Sequence, residues 1–576
     1  MTRFKIEQLV LASEEIASWA QTDNRHVNWP VVYTLADDNT IYIGESLSAS
    51  TRLRQHLDSE DKKHLDVVRV VIDDTFNKSV CLDLESYLIR LFSGEGRYRV
   101  LNHNAGITNA DYYDRSDYQE IFDDIFRKLQ DLGAFRMSIA EIENSDLFKL
   151  SPFKSLTSDQ TAAVQVILRH LLSNLKAHRS STTVVDGEPG TGKTVVAIFL
   201  MKIIRDIAGG PERLDGDSDS AYSDFFTEAN RKALSHLKFG IVVPQQSLRA
   251  SVKKVFGKTP GLDAGMVLSA FEVGQSKERF DLLLVDETHR LNQRANQSSG
   301  TANADFAAIN QRLFGEDNPA RTQLDWIRKQ SDHQIFFLDP RQSVRPADLP
   351  HNIQAELIDT ARREEHYFKL WSQMRVQGGG DYIDYVRRIL SPNPPHASRV
   401  IDNYEFCIFA KLGEMRDAIR KKDKEVGLAR LVAGYAWEWK SKGKNNRAAY
   451  DIEVDGCHLR WNQTPTDWIN SPGSIDEVGS IHTVQGYDLN YCGVIIGPDL
   501  GYDPEGGGLF IQRDNYFDKK GKEDNRRLGI KYSDEDLLEF IRNIYVVLLT
   551  RGMLGTYVYV CDPGLRAYMA DYVGAH

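Results

Sequence analysis

Hydrophobic and polar positions follow two different rhythms along the chain. In residues 1–29, Ile6, Val10 and Leu11 fall on one side of a helical wheel, so the segment reads as an opening helix. Pro30–Leu35 and Ile41–Gly44 are β-rich runs around Ala36-Asp37-Asp38-Asn39-Thr40, an arrangement that predicts a hairpin. VVRVVI (67–72) predicts a third strand, and Leu84, Leu88 and Leu91 mark the core-facing side of a helix. This compact α/β pattern ends near Gly106. Ile121, Ile125 and Leu129 then recur every four residues between Asp111 and Phe135, with Gly133 as a stop, so 111–150 reads as a helical connector. From about Ser151 onward β-runs alternate with amphipathic helices, the pattern of parallel α/β units. Two polar stretches, 207–235 and 292–332, read as insertions, and three prolines break regular structure across 391–400. Neither an internal repeat nor a long low-complexity tract interrupts this plan.

Composition narrows the class. Hydrophobic residues make up 41 % and charged residues 27 % of the 576 positions, the mixture of a globular chain with several cores rather than a disordered or collagenous one. No run approaches the ~18–20 uninterrupted apolar residues of a membrane span. Glu7, Glu14 and Glu15 inside the first apolar pattern make it a poor signal peptide. The five cysteines, Cys81, Cys407, Cys457, Cys492 and Cys561, are scattered and lack C-x-x-C spacing, so a reducing cytoplasm fits and neither a disulfide framework nor a zinc site is expected. With 71 Lys+Arg against 82 Asp+Glu the net charge is −11, which argues against a passive nucleic-acid coat but leaves room for a local basic groove.

The strongest chemical signal is TTVVDGEPGTGKTVVAIFL (182–200). An apolar strand runs into Gly187-Glu188-Pro189-Gly190-Thr191-Gly192-Lys193-Thr194 and a helix follows, the strand–loop–helix setting of a phosphate loop. Its glycines let successive N–H groups face phosphate oxygens, Lys193 places a charge near the β- and γ-phosphates, and the Thr194 hydroxyl can ligate Mg²⁺. The apolar run Phe280–Val285 ends in Asp286-Glu287, one carboxylate to hold Mg²⁺ and one to orient an attacking water. Upstream, Gln160 in SLTSDQ can read an adenine edge through its paired donor and acceptor. These features predict ATP and Mg²⁺ as cofactors.

Further segments follow in order: IVVPQQSLRASV (241–252), FFLDPRQSVRP (336–346), LWSQMRV (370–376), GSIHTVQGYDLNYCGVIIG (479–497) and YVVLLTRGMLGTYVYV (545–560). Together they resemble superfamily 1 helicase motifs, and most closely the Schlafen-type helicase-like ATPase domain, over about 151–576. The resemblance implies two RecA-like parallel α/β lobes, 151–350 and 351–576, with ATP between them. It implies that Gln342 senses the γ-phosphate from the first lobe and that Arg375 and Arg551 reach it from the second. It also implies that His482, Gln485 and Gly486 couple the site to nucleic acid. The phosphate loop alone would suit an AAA+ remodeller, but the HTVQG and LLTRG segments favour the helicase reading.

The N-terminal third carries a second order of residues: Tyr33, then Tyr42-Ile43-Gly44, Arg52, His56, Glu85 and Asn102. Arg52 and His56 lie four apart and share one helix face. The order and the spacing from Gly44 resemble the GIY-YIG nuclease domain over about 30–106, with Val31-Val32-Tyr33 in place of Gly-Ile-Tyr. This resemblance implies an α/β nuclease domain, 1–110, in which Glu85 is the sole protein ligand of a divalent metal, a role that suits Mg²⁺. Tyr42, ahead of Tyr33, would assist deprotonation of the attacking water; Arg52 would stabilise the pentavalent phosphate, His56 would position or shuttle a proton, and Asn102 would support the site.

Basic clusters at Arg420–Lys424, Lys440–Arg447 and Lys519–Arg527, with Trp437, Trp439, Trp461 and Trp468 near the second, are candidate contacts to a phosphate backbone and bases. The resulting expectation is an ATP-dependent helicase or translocase joined to a metal-dependent endonuclease. It would act on nucleic acid, DNA ahead of RNA, without a membrane, in defence against foreign DNA. An ATP-switched sensor or repair helicase with a binding-only N-terminal domain is the alternative. A site that cuts one strand per encounter is compatible with a homo-oligomer.

Overall fold

The computed structural model describes residues 4–102, 112–154, 156–209, 221–295, 297, 300–374, 376–442, 449–464, 468–484 and 487–575. Two compact units emerge: Met1–Thr157 with Ile198–His236 and Val252–Gly265, and Ser158–Ala197 with Leu237–Ser251 and Met266–His576.

The first unit is built on a five-stranded sheet in the spatial order Phe4–Val10, Val67–Asp73, Val31–Ala36, Thr40–Ser46, Arg99–Val100. The hairpin forms as its turn chemistry predicts: Asp37 accepts the N–H groups of Asn39 and Thr40 (2.7 and 2.6 Å). Strand Val31–Ala36 is buried on both faces. Val32 and Ala36 join a core with Leu84, Leu88 and Leu91 of helix Lys78–Glu95, whereas Val31, Tyr33 and Leu35 join one with Leu53 of helix Ala49–Leu57. Period-two alternation therefore sends Tyr33 and Tyr42 to the side of the shorter helix. The connector helix runs Arg115–Asp131, packing Phe122, Ile125 and Leu129 on the longer helix's side.

The opening segment differs from expectation. Phe4–Val10 is a strand, antiparallel to Val67–Asp73, and helix is confined to Ser13–Ala20 and a short turn at Asn24–His26. Ile6 and Val10 lie four apart, as on a helix, and Phe4 and Ile6 two apart, as on a strand, so the seven residues satisfy either period. The β-branched strand at 67–73 offers a full ladder of backbone partners, and that tertiary pairing decides the outcome.

The second unit contains two sheets. The six-stranded one is parallel throughout, in the order Tyr367–Leu370, Ser181–Gly187, Ser331–Leu338, Phe280–Val285, Phe239–Val242, Val267–Leu268. The eight-stranded one centres on Ala429–Ala433, Leu489–Ile496 and Gly552–Val560, also parallel, and ends in an antiparallel pair, Ile452–Val454 with Cys457–Trp461. Helices Gly379–Ile389 and Asp534–Leu549 pack on the eight-stranded sheet, burying Ile383, Val386, Ile541 and Leu548 against Val432, Val494 and Val558. The stretch 292–332 contributes helices Gly300–Phe314 and Gln323–Gln330 around Phe306, Ile309 and Trp326, so much of this polar insertion has a core of its own. Among the described residues no helix is long and apolar enough to cross a membrane, and all five cysteines are free.

Candidate functional site

Parallel strands of the six-stranded sheet deliver their carboxyl ends to one edge, where such sheets bind ligands. Strand Ser181–Gly187 turns there into the loop that starts helix Lys193–Gly209. Gly190 and Gly192 take φ of +85° and +76°, left-handed values that favour glycine. A Cβ on Gly192 would lie 2.5 Å from Gln160 Nε2. The buried Lys193 ammonium donates to the carbonyls of Gly187 (2.6 Å) and Glu188 (3.1 Å), which holds its charge over the mouth of the loop.

Gln160 is fully buried, donates to Thr191 O (2.8 Å) and lies 2.9 Å from Met374 Sδ. Its neighbour Asp159 accepts the N–H groups of Trp371 and Ser372 (2.9 and 3.0 Å). Gln373 Nε2 donates to Pro189 O (2.6 Å) and Met374 N–H to Gly190 O (2.9 Å). Residues 371–374 are thus laid along the phosphate loop. Arg375, which follows, lies outside the described residues, as do Gln485 and Gly486.

Strand Phe280–Val285 brings Asp286 and Glu287 to the same edge. Thr194 Oγ1 donates to Asp286 Oδ2 (2.7 Å). Burial, with Glu287 beside it, pushes Asp286 above the usual carboxylate range, against the pull of Thr194 and Lys193. Burial works upward on Glu287 as well, but the His289 contact and the charges of Lys193 and Arg551 overturn it and hold that carboxyl well below its ordinary range. Glu287 sits at φ +47°, left-handed for a residue with a side chain. His289 Nδ1 accepts the Asp339 N–H (3.3 Å), which leaves the ring proton on Nε2, 3.0 Å from Glu287 Oε2.

The eight-stranded sheet contributes the other half. Arg551, 2 % exposed, follows helix Asp534–Leu549; it donates to Val547 O and Tyr487 O (both 3.3 Å) and lies within electrostatic reach of Glu287. Tyr487 Oη is 3.0 Å from Ser251 Oγ on the helix Gln246–Lys258, which follows strand Phe239–Val242. Gln342, buried, donates to Asp339 Oδ2 (3.0 Å). His482 is half-buried, 3.9 Å from Asp518; burial pushes it down, Asp518 pulls it back, and Arg345 and Arg290 push with burial.

The structure therefore brings Gly187–Thr194, Gln160, Asp286, Glu287, Gln342 and Arg551 to one place. His289, Asp339 and Tyr487 join them and had no role in the sequence reading; the first two lie inside the runs that revealed Glu287 and Gln342. The residues fit a nucleotide with Mg²⁺: Asp286 Oδ1 is buried with no hydrogen-bond partner among the described residues, facing the need of a hard cation for oxygen ligands. The basic clusters do not form a free stripe among the described residues. Arg420 pairs with Asp476, Lys422 with Glu405, Lys440 with Glu453 and Lys520 with Glu523, and Trp461 and Trp468 are core residues.

The first unit holds a second cluster. Tyr33, fully buried, has its hydroxyl 2.8 Å from His56 Nε2. Tyr42 lies edge-on to His56, with ring centroids 5.1 Å apart, and the Lys62 ammonium sits 3.8 Å over the Tyr42 ring. Arg52 hydrogen-bonds Gln55 (3.0 Å), and both Arg52 and the half-buried Glu85 are within electrostatic reach of Tyr33. Burial and Tyr42 push the Tyr33 phenol far up, Arg52 opposes, and Glu85 adds to the rise. Gly44 makes the packing possible, since a Cβ there would lie 2.5 Å from Tyr33 Oη. Asn102 clamps the strand between them, accepting the Ile43 N–H (3.0 Å) and donating to Ile43 O (2.8 Å). Lys62 is the member that sequence reasoning missed, because it lies in a polar turn with no motif around it.

Residues 180–562, more than half of the chain, match the family described as Schlafen group 3, DNA/RNA helicase domain. The chain is also similar to "Uncharacterized protein YPL245W" of Saccharomyces cerevisiae, 27 % identical over 445 residues that cover 72 % of this chain and 90 % of the yeast protein.

Proposed function

Because the chain belongs to the Schlafen group 3 DNA/RNA helicase-domain family, we propose that it is an ATP-driven nucleic-acid helicase or translocase whose N-terminal unit is a metal-dependent endonuclease of the GIY-YIG kind. Parallel α/β sheets with a phosphate loop are consistent with a RecA-like NTPase domain, and a helicase-like domain usually binds ATP and Mg²⁺.

What supports the motor reading is the placement of Arg551, a buried guanidinium that donates to Tyr487 O while the Tyr487 hydroxyl meets Ser251, and that lies within electrostatic reach of Glu287. Thr194 and Asp286 would hold the Mg²⁺, which when bound neutralises the phosphates. Lys193 binds the β- and γ-phosphates, and Gln160 orders the loop beneath the nucleotide. Glu287, kept ionised, accepts a proton from an attacking water that its carboxylate orients. Arg551 stabilises the charge that builds on the γ-phosphoryl oxygens, and does so only when the two sheets are held together. Closure and hydrolysis are then one event, which is how nucleotide turnover drives stepping along a strand. His482, Gln485 and Gly486 are the proposed link to that strand, and Arg375 the second arginine.

What supports the nuclease reading is the convergence of Tyr33, Tyr42, Arg52, His56 and Glu85. A phenol pushed up as far as that of Tyr33 stays protonated and serves as a donor, so Tyr42 is the proposed aid to deprotonation. Glu85 is the proposed ligand of the divalent ion, whose chemistry is to polarise the scissile phosphate and its water. Arg52 faces the charge on the phosphate and Asn102 holds the strand. DNA of foreign origin is the target that the resemblance suggests. A nucleic-acid sensor with a binding-only N-terminal domain is the second reading, favoured by Val31-Val32 where the nuclease family has Gly-Ile.

The deciding experiment incubates the purified chain with Mg²⁺, with and without ATP, against labelled single-stranded, duplex and forked DNA and RNA, beside Glu85→Ala and Lys193→Ala. Cleavage lost only in Glu85→Ala, with ATPase lost only in Lys193→Ala, supports the full reading. Identical behaviour of wild type and Glu85→Ala leaves the sensor.

A further inference from the structure

Glu188 places a carboxylate inside the phosphate loop, where its charge repels the anionic ligand such a loop binds. The structure neutralises it with two guanidiniums. Arg341, beside Gln342, pairs with Glu188 Oε1. Arg387, from helix Gly379–Ile389 on the eight-stranded sheet, donates to the same oxygen at 3.0 Å. The second Arg387 nitrogen lies 3.8 Å from Asp339 Oδ2, the oxygen that also accepts from Gln342. The Arg387 side chain is only 15 % exposed, so it is committed to this place rather than to solvent.

The position of Glu188 along the loop gives the contact its meaning. Its carbonyl accepts from Lys193 Nζ at 3.1 Å, and the phosphate-loop lysine reaches the β- and γ-phosphates. Arg387 is therefore parked at the terminal-phosphate end of the loop, on a carboxylate that imitates a phosphate oxygen. A γ-phosphoryl group presents more charge and three oxygens to a fork-shaped donor, so it competes with Glu188 for that donor.

Resting on the nucleotide-site reading above, we propose that Arg387 is a further γ-phosphate-recognising residue, held by Glu188 until a nucleoside triphosphate takes it. The exchange would draw the helix Gly379–Ile389 onto the nucleotide when the third phosphate is present and leave it on Glu188 when ADP is bound. Arg387 would thus add to Arg551 a contact that distinguishes the two nucleotides. The alternative is that Arg387 only neutralises Glu188.

Fluorescent ADP and a slowly hydrolysed ATP analogue, each with Mg²⁺, are titrated into the full chain and into Arg387→Ala, Arg387→Lys, Glu188→Gln and the double variant. Recognition of the γ-phosphate requires Arg387→Ala to keep ADP affinity and lose about tenfold of its preference for the triphosphate. Arg387→Lys should fall between. Glu188→Gln should tighten the triphosphate severalfold when Arg387 is present and change its preference little when Arg387 is absent. ADP binding reports that each variant is folded. Equal weakening of both nucleotides in Arg387→Ala, rescued by Glu188→Gln, overturns the proposal in favour of neutralisation alone. Unchanged binding of both nucleotides in Arg387→Ala overturns it too, with the nucleotide site intact. Failure of the wild type to bind either nucleotide overturns the nucleotide-site reading, and this proposal with it.

Discussion

The Thr194 hydroxyl donates a 2.7 Å hydrogen bond to the Asp286 carboxylate, joining the end of the phosphate loop to a strand end 92 residues away. Each group is a ligand type that Mg²⁺ accepts. The second Asp286 oxygen is buried with no hydrogen-bond partner among the described residues. In Asp286→Asn the amide oxygen still accepts from Thr194, so the fold should survive with its melting temperature nearly unchanged. Mg²⁺-assisted nucleotide binding should fall by at least about tenfold, because a neutral ligand replaces a charged one. Titration of a fluorescent ATP analogue at several Mg²⁺ concentrations checks this, and an unaltered Mg²⁺ dependence would contradict it.

Glu287 and Lys193 should separate turnover from binding. Glu287→Gln keeps the shape and removes the base, so nucleotide should still bind while hydrolysis drops by about 100-fold or more. Lys193→Ala should lose both, and because the Lys193 ammonium bonds two loop carbonyls its removal should also cost about 1–3 kcal/mol of stability. ATP hydrolysis and equilibrium binding, measured side by side, distinguish the two patterns.

Arg551 should matter twice. Arg551→Ala strips donors from the carbonyls of Tyr487 and Val547 and leaves buried acceptors, a cost of about 1–3 kcal/mol in stability. It should also reduce kcat by about 1000-fold if the guanidinium meets the developing charge. Arg551→Lys keeps a cation and should restore part of the stability but little of kcat, because an ammonium lacks the planar fork. Denaturation curves and steady-state kinetics on both variants provide the comparison; equal recovery of stability and rate would count against a catalytic role.

In the first unit, Asn102→Ala removes two hydrogen bonds from Ile43 between Tyr42 and Gly44. The expected loss is about 2 kcal/mol of stability, visible as a lower melting temperature, together with reduced cleavage. Tyr33→Phe should cost less than Tyr42→Phe in cleavage rate, since the Tyr33 phenol is held protonated. The reverse order would reassign the two tyrosines.

Asp499 supplies a pH dependence away from either site. It is buried, accepts from Tyr545 Oη at 2.6 Å, and burial pushes it from 3.8 to about 7 in the folded chain, with the Tyr545 bond opposing. An acid with a raised folded value binds its proton more tightly when folded. Its contribution to stability is therefore full below pH ~4 and is lost as pH rises toward about 7. Asp499→Asn should flatten that decline, gaining roughly 4 kcal/mol over wild type at pH 8 and little at pH 4. Urea denaturation at the two pH values tests the sign.

The sequence alone determined whatever is encoded in neighbouring residues. Gly187–Thr194 between a strand and a helix, the Asp286-Glu287 strand end, the hairpin at 31–46 and the shared face of Arg52 and His56 follow from local periodicity and turn chemistry, and each forms as read. The rest depended on packing between distant segments. Phe4–Val10 satisfies two periods, and the edge of a neighbouring strand chose between them. His289 was silent until strand order set Asp339 against its ring and Glu287 beside it. Arg387 belongs to no motif, and only the packing of its helix sets its fork on Glu188. The physical reason is range: backbone preference acts over a few residues, whereas hydrogen bonds and charges act through space, and which groups become neighbours depends on how sheets are ordered and faced.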